Sequence, residues 1–501
     1  MTRATFRVAF ASVVSMLVLP VWLSPVAPFS DWPNHLARIH VLAHYSSSAA
    51  YQQYYQPAWG PYPNLAFDLI GTLLARLLPT ELVGQLFLML VVLVWCAGVA
   101  MLGRAIEGSV SWRVLLACFF VYSESFLLGY ANYAISMGLS LIALGLAFAP
   151  GGASRLAGLG ATIIATCAVV SHAAAAVTLG LGGLSLMAGR AIERKQAGEK
   201  SVAMSDVKLA LLFAPAALYF VIWLVLFADH TRDSAFSGVR TSLALLFFSV
   251  LPTFVTSADW VLVALLAMLA ASSIMVGGGA RGLAKRVRPG PAIAAALFVL
   301  AVFVAPADYL GSYEANGRYV LGAWTFALFA IETDGALRHA RAFSVLVGAA
   351  LSLLVVRQAF LGFTLSQLGQ RLAATIALFD RLPAADVHIG NVTFLNERAP
   401  RAQRLRERAL LHAVAYTAVT READVPTLYA IPGVQPLRHR AKRYDGHRFK
   451  MSDPAAVDVA RVHAELDAAL VCRAPASVRE ALLEGGESLG VAGDCELIRW
   501  R

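Results

Sequence analysis

Phe29-Ser-Asp-Trp-Pro-Asn-His-Leu-Ala-Arg-Ile-His40 is the stretch on which the reading of this chain turns. It follows the first long apolar run, residues 5–28, and puts Asp31 where that helix leaves the membrane. His35 and Arg38 follow at helical spacing. A carboxylate beside lipid is costly, so its position needs a cause. Facing water, Asp31, with Ser30 as a competitor, is the N-cap of a helix over 32–44. Facing a cavity, it is a candidate catalytic base. His35 then either supports that cavity or only bonds Asp31 across one turn.

Working outward, the 501 residues are 58% hydrophobic and 14% charged. Soluble domains carry roughly 25% charged residues. Apolar runs recur at 5–28, 82–104, 113–130, 131–149, 156–173, 174–189, 208–228, 258–277, 290–309, 317–333 and 341–362. At roughly 20 residues per crossing, they predict an α-helical polytopic membrane protein with about 11 transmembrane helices. The segments 64–79 and 241–256 are apolar but read as interfacial or re-entrant. The first run is longer than a signal-peptide core of roughly 7–15 residues and is read as a retained helix.

The net charge of +10 does not point to nucleic acid, because much of the basic excess is spread over short loops between apolar runs and the rest lies in the Arg-rich tail at 397–450. One set of loops holds Arg3 and Arg7; Arg104 and Arg113; Arg155; Arg190, Arg194, Lys195 and Lys200; Arg281, Lys285, Arg286 and Arg288; Arg338 and Arg341. The alternate loops are poorer, with Arg38; Arg232 and Arg240; and Arg318. Excess Lys and Arg marks the cytoplasmic side. The N-terminus is therefore expected in the cytoplasm of an inner (cytoplasmic) membrane, with Asp31 and the loops at 229–241 and 307–317 on the outer face. An odd number of crossings puts the tail outside too.

From residue 364 the apolar runs shorten and charge rises. Residues 1–363 are read as the transmembrane domain, with a first outer loop at 29–81. Residues 364–501 are read as a small extracytoplasmic α/β or α+β domain. Helices are expected at 364–381, 396–417, 454–471 and 475–484, and a strand at Val425–Ile431 before the turn Pro432-Gly433. Cys96, Cys118 and Cys167 read as packing residues. Cys472 and Cys495 would form a disulfide if the tail is exported. Asn391-Val-Thr matches a glycosylation acceptor, a pattern common by chance.

Behind Asp31 the elements come in a definite order. A polar helix with His35, Arg38, His40 and His44 leads to an aromatic loop, Tyr51 to Asn64. An amphipathic stretch, Leu65 to Pro79, then leads to a second crossing near Glu81. This order resembles the GT-C superfamily of integral-membrane glycosyltransferases. Asp31 matches the acidic position of that family's first outer loop. Pro63-Asn-Leu-Ala-Phe matches its proline-containing stretch, and Glu81-Leu-Val-Gly-Gln-Leu-Phe its entry to helix two. The likeness is clearest over residues 1–150.

The resemblance implies transfer of a sugar from a polyprenyl-phosphate donor, outside the cytoplasm, to a glycan, lipid or protein acceptor. Asp31 would be the general base, within hydrogen-bond reach of the acceptor. A cation would meet the charge growing on the leaving phosphate. Arg318, in Tyr313-Glu-Ala-Asn-Gly-Arg-Tyr319, is the first candidate and Arg38 the second, because Arg binds phosphate bidentately. Arg318 as a headgroup anchor is the plainer alternative. The catalytic reading asks that Asp31 and Arg318 line one outward cavity. No second acidic motif of the family is evident. Glu124, Asn132, His172, Asp308 and Glu314 are the polar residues available to line a cavity. His40 and His44 have metal-ligand spacing without a third ligand, so no metal is expected and no cofactor is required. The other function classes are a transporter or flippase of lipid-linked material and a noncatalytic assembly scaffold. No repeat symmetry supports the transporter.

Overall fold

The fold is seen in a computed structural model describing residues 2–109, 111–150, 154–199, 204–228, 234–275, 286–309, 312–332, 341–383, 387–396, 398–441 and 457–500. Lys200, Arg232, Arg281, Lys285 and Arg338 of the basic loops lie outside these residues. The chain divides into two units: Met1–Leu19, Leu90–Phe126 and Asn132–Phe360 in the first; Pro20–Met89, Leu127–Ala131 and Leu361–Arg501 in the second.

Among the described residues, four helices are long and apolar enough to cross a membrane: Arg3–Trp22, Thr80–Glu107, Ala174–Gln196 and Phe343–Arg381. The pair Asp206–Leu212 and Ala214–Leu226 is long and apolar enough only when taken together, and it is bent by 47°, as in a broken span or a re-entrant loop. Pro215, in the first turn of the second helix, cannot donate back across the break, which accounts for the bend. Shorter apolar helices include Ala131–Ala147, Arg155–Ser171, Val239–Phe248 and Pro289–Val304. The chain is an integral membrane protein. The run expected at 113–130 is not one continuous helix. It is a helix at Trp112–Cys118, a 3-10 turn at Phe119–Tyr122 and a further short helix from Glu124.

Within the first unit, small residues let helices approach closely. A Cβ on Gly138 would lie 2.9 Å from the Trp95 backbone nitrogen. Dispersion contacts of this kind replace the hydrophobic effect between helices in lipid. The helix breaks free backbone carbonyls, and a buried cation answers them. Arg357 Nη2 donates to the carbonyls of Tyr122 and Pro252, each at 2.8 Å.

The second unit is built from the first loop, a five-residue piece of the middle of the chain, and the tail. Its helix Trp32–His44 is buried from Trp32 through Ile39 and packs on Ala66–Leu74 and Tyr416–Thr420. Tyr55–Pro57 pairs antiparallel with Leu437–His439. A second sheet runs Ile389–Thr393, Ala468–Cys472, Cys495–Arg499, Glu487–Ala492. Its first pair is parallel and the other two are antiparallel. Val392, Val471, Ile498, Val462 and Leu482 form its core with the helices Val459–Glu465 and Ala476–Leu483. Cys472 and Cys495 are opposite one another in this sheet and form a disulfide.

Three local expectations change. Val425–Ile431 is not a strand. Pro426 lacks a ladder donor, and the backbone N–H groups of Val425 and Ile431 donate to Tyr55 Oη and Gln435 Oε1 instead. Of 454–471, only Val459–Glu465 is helical among the described residues. Ala468–Cys472 is a central strand buried on both faces, which a short apolar run does not distinguish from a helix. Asn391 is 1% exposed, and its amide donates to the Leu411 carbonyl, so it is no surface acceptor. The 363/364 position, inside the helix Arg341–Leu378, lies close to the division between the two units at Phe360/Leu361.

Candidate active site

Asp31 occupies the N-cap position of the helix Trp32–His44, but its side chain makes no capping hydrogen bond. Its backbone is helical, with φ −85° and ψ −9°, which turns the carboxylate away from the first-turn amides. Pro33 in the first turn needs no partner for a missing N–H. The capping role is therefore overturned.

The Leu127–Ala131 segment fixes the Asp31 backbone. The Asp31 N–H donates to the Leu128 carbonyl at 2.9 Å. Gly129, at φ +92°, passes so close that a Cβ would lie 2.9 Å from the amide nitrogens of both Asp31 and Trp32. Only glycine combines that backbone with that approach.

The Asp31 side chain is 17% exposed. Tyr429 hydrogen-bonds it through its hydroxyl. His412 Nε2 lies 3.6 Å from Asp31 Oδ1 and 3.2 Å from Tyr429 Oη. Burial raises the Tyr429 hydroxyl well above its ordinary value, with the charge of Asp31 adding to the shift. Burial lowers His412 to about 4, so at neutral pH its ring is neutral and the contact with Asp31 is not an ion pair.

His35 does not bond Asp31 through its ring, as the one-turn spacing had suggested. Its Nδ1 sits 3.0 Å from Arg38 Nη2, and its ring stands edge-on to Tyr429. Burial holds His35 well below its usual value, helped by Arg38 and His412. Arg38 is fully buried, and its fork is taken by Asp68, with Nε and Nη2 donating at 2.5 and 3.0 Å. Burial raises the Asp68 carboxyl, and the Arg38 guanidinium works against that shift. Trp32 stacks on Phe67 at 4.7 Å, fixing the two helices that carry this pair. His40 and His44 are adjacent, with ring centroids 4.5 Å apart, and His40 Nδ1 bonds Thr80 Oγ1 at 2.7 Å. Among the described residues, no three His, Cys, Asp or Glu side chains gather as metal donors.

The other sequence candidates fall in the first unit. Arg318 lies in a 3-10 turn, 7% exposed, with Nη1 3.2 Å from His172 Nε2 and Nη2 donating to the Tyr313 carbonyl at 3.3 Å. His172 is extended at the break after Arg155–Ser171, and its Nδ1 accepts from the Ala174 N–H. Tyr133 stands beneath the Arg318 guanidinium, 6.0 Å from ring centre to carbon. Glu124 and Asn132 are buried at 7% and 2% exposure; the Glu124 N–H donates to the Ser249 carbonyl. Asp308 pairs with Ala235 in a short bridge, and Glu314 takes a left-handed backbone at φ +51°.

From the sequence alone, His412, Tyr416, Arg421 and Gln435 of the tail read either as part of an acceptor surface or simply as polar surface. Tyr416 and Gln435 are buried, and His412 is turned toward Asp31. Tyr429 and Asp68 drew no notice. For Asp68 a signal was present. Leu69, Ile70 and Leu73 point outward, while Asp68, Gly71 and Thr72 point inward, an inversion expected of a helix lying against lipid. Tyr429 had none.

No family model matches the chain, and no curated protein matches it in sequence. Solved structures do. ArnT from Cupriavidus metallidurans bound to undecaprenyl phosphate overlays with a TM-score of 0.50 at 12% identity, covering 100% of this chain and 99% of that one. Its apo state gives a TM-score of 0.51 at the same identity and coverage. The arabinofuranosyltransferase AftD from Mycobacteria gives a TM-score of 0.47 at 13% identity over 40% of its length, too low to carry weight. The chain therefore shares the fold of these ArnT structures over its whole length, far diverged from them in sequence.

Proposed function

We propose that this protein is a GT-C-type glycosyltransferase that moves a sugar from a polyprenyl-phosphate donor to an acceptor outside the cytoplasm. Asp31 is the general base. The observation that carries the reading is the state of its carboxylate. It caps no helix, keeps part of its surface open and is hydrogen-bonded by a phenol. A carboxylate placed that way takes the proton of an acceptor hydroxyl or amine as it attacks the anomeric carbon. The bond from that carbon to the phosphate oxygen breaks, and its electron pair leaves with the phosphate.

The donor class is supported by the fold shared with ArnT, crystallised with undecaprenyl phosphate. Arg318 is the cation proposed for the donor phosphate, with His172 beside it. Arg38 loses that assignment, because Asp68 already occupies its fork. Its proposed role is to hold His35 and the base of the site. The expected topology, with a cytoplasmic N-terminus and an exported tail, is supported by the Cys472–Cys495 disulfide, since such bonds persist in oxidising compartments.

The test uses purified protein, a panel of undecaprenyl-phosphate-linked sugars and an envelope glycan extract. Wild type is expected to transfer label to the extract. Asp31→Asn should bind undecaprenyl phosphate as wild type does and transfer nothing. Transfer at the wild-type rate by Asp31→Asn would remove Asp31 from the chemistry. Uptake of an unaltered substrate into proteoliposomes, with no transfer, would replace the enzyme by a transporter.

A further inference from the structure

We infer that Tyr429 and His412 are positioning residues that hold the Asp31 carboxylate charged and aimed, as a one-directional chain of donors from the tail to the first loop. The inference rests on the reading of Asp31 as base and adds to it what keeps the base ionised. A carboxylate that is mostly buried drifts toward its neutral form unless donors or a cation compensate. The usual compensation at this position is absent, because the Asp31 side chain takes no amide of its own helix.

Among the described residues, groups near Asp31 come from its own helix, from the Leu127–Ala131 segment and from the tail. Its own helix supplies His35 and Arg38, and both are engaged with each other, Arg38 further with Asp68. The Leu127–Ala131 segment supplies Tyr130, close enough to act on the Tyr429 charge. The tail supplies Tyr429 and His412. Of these, Tyr429 hydrogen-bonds the carboxylate through its hydroxyl. A phenol has one proton to give, and here it goes to Asp31. The phenol oxygen is then left to accept, and His412 Nε2 lies 3.2 Å from it. A neutral imidazole protonated at Nε2 completes the chain: His412 N–H to Tyr429 oxygen, Tyr429 O–H to Asp31. That tautomer leaves Nδ1 as the acceptor, and His412 Nδ1 is buried without a hydrogen-bond partner among the described residues. The His412 and Tyr429 rings also pack, with centroids 5.2 Å apart, which fixes both orientations.

The direction of the chain matters. Each link gives its proton toward Asp31, so the chain stabilises the carboxylate over the carboxylic acid. Losing the Tyr429 hydroxyl removes that preference and raises the pH at which Asp31 takes up a proton. A purely structural pair would show no such effect.

Two measurements test this. Infrared titration of the carboxyl band, wild type minus Asp31→Asn, reads the Asp31 midpoint on the protein alone. Tyr429→Phe is expected to raise that midpoint by about one pH unit, a tenfold change in proton affinity, and His412→Gln by a smaller amount. Where transfer is measurable, the acidic limb of kcat should move by the same amount in Tyr429→Phe, with undecaprenyl phosphate Kd unchanged. Should Tyr429→Phe fail to fold, difluorotyrosine at position 429 keeps the hydroxyl and makes it a stronger donor, so the midpoint should fall. An Asp31 midpoint that stays fixed in all of these variants overturns the inference. So does a uniform drop in kcat at every pH. Neither touches the base itself, which fails only if Asp31→Asn still transfers sugar.

Discussion

His412 Nε2 stands 3.6 Å from Asp31 Oδ1, a tail histidine against the carboxylate of the first loop. Both belong to the second unit, with Tyr429 bonded to each. The tail is thus part of the candidate site, and changes there should reach Asp31 directly.

Acid should destabilise the protein through two buried histidines. Burial lowers both His412 and His40 to about 4, with His44 adding to the His40 shift. Unfolded histidine titrates near 6.5. Between those values the unfolded state binds more protons, so stability is full above about 6.5 and is lost as pH falls toward 4. Thermal melts from pH 7.5 to 4 should show this loss, and His412→Gln with His40→Gln should flatten it. An unchanged slope in the double variant would place the acid sensitivity elsewhere.

Asp68→Ala should cost more than Arg38 and Asp68 cost together. It leaves a fully buried guanidinium uncompensated, a loss of about 3–5 kcal/mol. Replacing both residues with apolar side chains of similar volume should recover much of it. Melting temperatures of the two single variants and the double variant form the cycle that checks this.

Gly129→Ala should damage the site out of proportion to its size. The new methyl meets the amides of Asp31 and Trp32 and sits on a left-handed backbone. The backbone conformation alone costs of order 1–3 kcal/mol. Transfer should fall at least tenfold while undecaprenyl phosphate binding stays near wild type. A variant that melts and transfers as wild type does would show that this contact does not fix Asp31.

Removing the disulfide should loosen the tail sheet. Cys472 and Cys495 are separated by 23 positions, and a loop of that order is worth about 3 kcal/mol. Cys472→Ser with Cys495→Ser should lower the melting temperature, and reductant should lower it in wild type only. Equal sensitivity of both forms to reductant would argue against the bond in the native protein.

Arg318→Ala should weaken undecaprenyl phosphate binding at least tenfold, and Arg318→Lys should restore only part of it. A lysine gives a point charge where arginine gives a planar fork. Binding that is equal in wild type and Arg318→Ala would leave Arg318 as a structural residue beside His172.

Much of this was legible in the sequence because hydropathy is local. The runs at 5–28, 82–104 and 341–362 fall on the helices Arg3–Trp22, Thr80–Glu107 and Phe343–Arg381. The interfacial reading of 64–79 fits the helix Ala66–Leu74, whose Leu69, Ile70 and Leu73 face outward. Short apolar segments were the weak point. Val425–Ile431 and Ala468–Cys472 carry the same kinds of residue, yet one is irregular and the other a central strand. What separates them is whether a neighbouring strand is available to pair, and that neighbour lies far away in the chain.

By itself the sequence determined a polytopic helical membrane protein, put an acid at the end of its first helix, and marked two tail cysteines as a conditional pair. These follow from composition and from the cost of charge near lipid, which act on each segment alone. The tertiary structure decided what the acid does. It released Asp31 from capping, gave Arg38 to Asp68, and brought Tyr429 and His412 to the carboxylate. Asp68 lies on a separate helix 30 positions from Arg38, and Tyr429 and His412 come from a segment hundreds of residues from Asp31, so these side chains meet only when their helices and loops pack together.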